Sequence, residues 1–131
     1  MNVVDSSAWL EYFADGPNAR FFADAIEDTD HLLVPSICLL EVFKKILTEK
    51  GETAALEKAA HMHQGKMVDL DPSIAINAAK LGLTLGLPLA DSVVLATART
   101  HRALVWTQDS DFKGMEGVKY FAKPKPKKSG A

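Results

Sequence analysis

Short apolar runs alternate along this chain with longer stretches of helical spacing, and that alternation leaves few folds open to it. The runs are Val3-Val4, His31–Val34, Lys66–Leu70, Ala103–Trp106 and Val118–Phe121. They are too brief for helices and read as buried strands. Between them, Trp9, Leu10 and Phe13 space a helix over 7–13, and Phe21, Phe22, Ala25 and Ile26 space a second, with Asn18 as its expected cap. Apolar residues at helical intervals follow from Ile37 to Leu47, an Ala-rich helix covers 53–63, and Asp71-Pro72 opens another that runs to Gly82 or Gly86. A last helix starts at Asp91 and ends near Arg99. Strands separated by helices predict an α/β fold, with a mostly parallel sheet and helices on both faces. In such sheets sites collect at the carboxyl ends of strands.

A chain of 131 residues suits one domain. Its 47% hydrophobic and 24% charged residues exclude fibrous and wholly disordered classes. The single cysteine, Cys38, excludes an internal disulfide. Four of the 15 basic residues lie in 123–131, which hold no acid, so residues 1–122 carry 11 basic against 17 acidic residues, a net −6. That acidity argues against a simple electrostatic grip on nucleic acid but not against phosphate chemistry through a bound cation. Residues 1–122 are the expected folded domain, and 123–131, alternating Lys and Pro, an extended tail, read as a solvated end rather than an RNA arm. The opening residues lack the basic and apolar regions of a signal peptide, and no apolar run reaches membrane-spanning length, so a cytoplasmic protein is expected.

Four carboxylates stand at element ends or in apolar settings. Asp5 closes the first strand, Asp109 follows the Ala103–Trp106 strand, Asp91 starts a helix, and Glu41 sits in an apolar helix that begins just after a strand. Each has an ordinary alternative. Asp5 and Asp91 can cap helices, Glu41 can pair with Lys44 or Lys45, and Asp109 and Asp111 can be turn acids. Gathered together they would repel, and hard oxygen ligands without a Cys/His cluster suit Mg²⁺ or Mn²⁺. The histidines His31, His61, His63 and His101 have no metal-site spacing and read as surface residues, and Cys38 reads as packing.

Four segments in order carry a family resemblance. Asp5-Ser6-Ser7, Pro35–Val42 with Glu41, Leu87–Ser92 with Asp91, and Val105–Phe112 with Asp109 and Asp111 resemble the motifs of PIN domains of the VapC toxin type, over residues 1 to about 121. The resemblance implies a metal-dependent ribonuclease. Asp5, Glu41, Asp91 and Asp109 would hold Mg²⁺ or Mn²⁺, Ser6 and Thr107 would support them through hydroxyl bonds, and Asp111 would stand behind them. It further implies a homodimer and a VapB-type antitoxin that covers the site. One departure is Cys38, where many relatives carry a hydroxyl. The aromatics Trp9, Tyr12, Phe13, Phe21 and Phe22 exceed what two short helices need, which supports the expected dimer. Two other readings remain: a Mg²⁺-binding phosphotransfer or phosphatase α/β domain, and a non-catalytic interaction module.

Overall fold

The computed structural model describes residues 1–125. Its sheet has five parallel strands: β1 (Asn2–Val4), β2 (Leu32–Pro35), β3 (Lys66–Val68), β4 (Leu104–Thr107) and β5 (Val118–Tyr120). They lie in the order β3-β2-β1-β4-β5. Six helices connect them: α1 (Ser6–Phe13), α2 (Ala19–Ile26), α3 (Ser36–Lys50), α4 (Glu52–Met62), α5 (Pro72–Leu85) and α6 (Leu89–Thr100). The fold class expected from the sequence is the one observed.

Consecutive strand residues explain why the sheet is covered on both sides. Val3 and Val4 are wholly buried, as are Leu32, Leu33 and Val34 to within 1%. Successive side chains point to opposite faces, so both faces of the central strands must be packed. Gly65 shows how tight that packing is, since a Cβ there would lie 2.9 Å from side-chain carbons of Leu32 and Val34. From Ser92 to Ala98 every residue of α6 is buried, on both its polar and apolar sides. No single helix among the described residues is long and apolar enough to cross a membrane.

The strand order creates the site. The chain winds from β1 outward to β2 and β3, then returns to the other side of β1 for β4 and β5. The direction reverses between β1 and β4, and the carboxyl ends of those two strands flank the switch point, where open sheets form their crevices. Val4 pairs in register with Trp106, and the Asp5 amide donates to the Trp106 carbonyl at 2.9 Å. Asp5 and the loop after Thr107 therefore leave the sheet side by side.

Several local expectations are corrected. Asn18 stands at the start of α2 without capping it; its side chain turns inward instead. Helix α6 begins at Leu89, two residues before Asp91. Trp9 and Phe22 are fully buried core residues rather than spare surface, while Phe21 is exposed and stacks on Phe121 with ring centroids 4.8 Å apart. His61 is not a free surface residue: Trp9, Tyr12 and Phe13 surround it edge-on at 5.4–6.3 Å. Of the expected tail, 123–125 are exposed without regular structure, and 126–131 lie outside the described residues.

Candidate metal centre

Asp5 leaves β1 in an extended conformation, φ −67° and ψ 155°, at the position before α1. A capping role would send its carboxylate to the α1 amides, but no side-chain cap bond forms. Its Oδ2 instead accepts from Ser7 Oγ at 2.8 Å and from Thr107 Oγ1 at 2.9 Å. The Asp109 amide also donates to Thr107 Oγ1, at 2.9 Å, so one buried hydroxyl ties the acids that follow β1 and β4. Asp5 is 3% exposed. Burial raises its pKa, the Ser7 and Thr107 hydroxyls pull it back, and the negative charge of Asp109 adds to the rise.

The adjacent serines divide their work. Successive residues on a helix point about 100° apart. Ser7 faces Asp5, while Ser6 donates to Glu41 Oε1 on α3 at 2.7 Å. Glu41 therefore makes no pair with Lys44 or Lys45; Lys45 pairs with Glu49 at 2.9 Å. Cys38, one turn before Glu41, is wholly buried. Burial first, then the charge of Asp5, pushes its thiol far up, which leaves it a packing residue and no nucleophile.

Asp91 lies in the first turn of α6, half-buried, and is not its cap, a position held by Pro88. Its carboxyl is pushed up to about 7, first by burial and then by the negative charges of Asp5, Asp109 and Asp111. Asp109 precedes a short 3-10 turn, Ser110–Phe112, and its Oδ1 accepts from the Asp111 amide at 2.9 Å. The turn reading is thus true of one oxygen of Asp109. Asp91, Asp109 and Asp111 each offer an oxygen within 4.8 Å of the others.

The structure thus brings the carboxylates of Asp91, Asp109 and Asp111 closest together. Asp5 is near enough to act on Asp91 electrostatically, and Glu41 is bonded by Ser6, the chain neighbour of Asp5. Asp111, expected behind the others, stands in the tightest trio. Ser7 is the residue the sequence left without a role; its signal was its place beside Ser6, since neighbours on a helix cannot face the same acid. Asp71 does cap α5, accepting from the Ile74 amide at 2.8 Å, and so offers nothing to a phosphotransfer site after β3.

Two full charges 4.8 Å apart repel by about 3.5 kcal/mol at an effective dielectric near 20. A proton on Asp91 relieves that repulsion, and so would a cation. The donor set is all carboxylate, with neither His nor Cys in the trio, which fits a hard divalent ion.

Known proteins share this fold. The chain is similar in structure to a toxin–antitoxin complex from Klebsiella pneumoniae, at 19% identity, TM-score 0.78, over 94% of this chain and 100% of that one. It is also similar to DNA-bound VapBC from Salmonella typhimurium, at 15% identity, TM-score 0.72, over 92% and 96%. A third is Mycobacterium tuberculosis VapC20, described as a sarcin–ricin loop cleaving toxin, at 17% identity, TM-score 0.74, over 90% and 97%. At these identities the likeness is one of fold. No curated protein sequence matches the chain. The PIN domain family model matches residues 3–118, nearly the whole described chain, and with acids gathered at the switch point of its parallel sheet the chain belongs to the PIN domain family.

Proposed function

We propose that this PIN domain is a metal-dependent endoribonuclease, the toxin of a toxin–antitoxin pair. The observation that carries the reading is the gathering of acids from three distant segments at one sheet edge: Asp91, Asp109 and Asp111 offer oxygens within 4.8 Å of one another, and with burial the charges of Asp5, Asp109 and Asp111 push the Asp91 carboxyl up to about 7. Ordinary caps and surface charges have no reason to converge in this way, which disfavours a non-catalytic module. The likeness in fold to structures described as VapC and VapBC supports the toxin class.

In this reading Asp5, Glu41, Asp91 and Asp109 hold Mg²⁺ or Mn²⁺, with Asp111 beside them. When bound, such an ion polarises a phosphate oxygen and lowers the pKa of water. The chain's own part is positioning. Ser7 and Thr107 hold Oδ2 of Asp5, Ser6 holds Oε1 of Glu41, and the Asp111 amide holds Oδ1 of Asp109. One oxygen of each of these three acids is thereby held before any ligand arrives, which lowers the reorganisation needed on binding. The substrate is RNA, the place of action the cytoplasm, and the partner a VapB-type antitoxin. A homodimer belongs to the same proposal. Its support moves from the aromatics of α1 and α2, largely spent in the core, to Leu83 and Leu89 on α5 and α6, 89% and 84% exposed.

Incubation with a panel of structured RNAs tests the activity. Mn²⁺- or Mg²⁺-dependent internal cleavage that EDTA abolishes is the expected result; no metal-dependent cleavage of any RNA overturns it.

A further inference from the structure

Beside the acids lies a cleft of about 380 Å³, within the size range of small-ligand sites. Ser7, Gln108, Asp109, Ser110, Tyr120 and Lys123 line it. Two of these belong to the metal centre: Asp109 is one of its acids, and Ser7 holds Asp5. Anything seated in the cleft therefore abuts the reacting edge.

The walls are built rather than incidental. Gln108 is 7% exposed, and Asn18, 5% exposed, donates from Nδ2 both to Gln108 Oε1 at 3.1 Å and to the Ala122 carbonyl at 3.0 Å. The Asn18 backbone N–H donates to Glu11 Oε2 at 2.9 Å. One buried amide thus clamps the loop after β4 to the segment after β5, the two sides of the cleft. Register pairing puts Tyr120 beside Thr107, the residue whose hydroxyl holds Asp5. The half-buried ring of Tyr120 gives the cleft an aromatic face, and Lys123 supplies the one cation of its lining.

We propose that this cleft seats a nucleotide flanking the scissile phosphate, its base stacked on Tyr120 and its phosphate met by Lys123. The proposal rests on the ribonuclease reading above. An aromatic face, a cation and polar hydroxyl and amide groups in one small cleft match a base, a phosphate and a ribose together, and stacking suits any base. Single-stranded RNA is the form that can offer an unstacked base.

The test uses the full chain carrying Asp5→Asn, which blocks cleavage, with Mn²⁺ present. Fluorescence anisotropy follows a labelled hexanucleotide RNA and the same RNA with abasic residues. Adding Tyr120→Ala should weaken binding of the intact RNA roughly tenfold and leave the abasic RNA unchanged, while Tyr120→Phe binds like the parent. Lys123→Ala should weaken both RNAs and make the salt slope shallower by about 0.7. Equal losses on intact and abasic RNA in Tyr120→Ala, or no loss on either, overturn the proposal. With Asp5 intact, Tyr120→Ala should raise KM about tenfold at nearly unchanged kcat. Metal-dependent cleavage with an unchanged KM sinks the nucleotide seat alone; no cleavage by the unsubstituted chain sinks the ribonuclease reading and the seat with it.

Discussion

Replacing Asp91 with Asn should stabilise the metal-free protein, and only above the acid range. The carboxyl of Asp91 is pushed from 3.8 up to about 7, by burial first and then by Asp5, Asp109 and Asp111. Between about pH 4 and pH 7 the folded state keeps a proton that the unfolded state has released. Stability therefore falls as pH rises through that window, and the cost is complete above it. The full difference corresponds to about 4 kcal/mol. The carboxylate is half exposed, so solvent screening leaves roughly 2 kcal/mol. Asp91→Asn keeps the shape and removes the charge, so at pH 8 in EDTA its melting temperature should exceed wild type by roughly 6–10 °C. At pH 4.5 the advantage should shrink to about 1 kcal/mol. Excess Mn²⁺ at pH 8 should reverse the order, because wild type gains a ligand that the variant binds poorly. Thermal melts of both proteins at the two pH values decide it. An equal gain at both pH values, or none at pH 8, would show that Asp91 is not under the electrostatic load ascribed to it.

Thr107→Val leaves Asp5 and the Asp109 amide without their shared hydroxyl; it should cost about 1–3 kcal/mol in urea denaturation and lower cleavage roughly 10–100-fold. Truncation after Ala122 should leave the melting temperature unchanged, because Lys123, Pro124 and Lys125 are exposed, and a clear drop would give the tail a structural role. Static light scattering at micromolar concentration should report twice the 14.2 kDa of one chain; a monomer counts against the dimer.

What was legible in the sequence was local. A two- or four-residue apolar run that ends in an acid or a turn announces both a strand and its carboxyl edge, which places Asp5 and Asp109 from the sequence alone. Glu41 stood out because Leu40 and Val42 flank it. The long-range partners were hidden. Asn18 has every local mark of a cap, yet its amide meets Gln108, 90 residues away, because the fold buries the loop after β4 against α2. Trp9 and Phe22 look surplus in the sequence because helical spacing does not say which apolar side faces the sheet. His61 looks like a surface residue in the sequence because nothing near it there reveals the α1 aromatics that pack around it. Asp111 looked secondary because its closeness to Asp91 arises only when the start of α6 meets the turn after β4.

The claim that one cation site unites these acids meets its sharpest test in a calorimetric Mn²⁺ titration of wild type and Asp5→Asn. Asp5 is buried and bonded to both Ser7 and Thr107, so the substitution removes a charge with little change of shape. Wild type should bind Mn²⁺ saturably, and Asp5→Asn at least about tenfold more weakly while staying folded. Wild-type Mn²⁺ affinity in Asp5→Asn, or no saturable binding by wild type, would contradict the site.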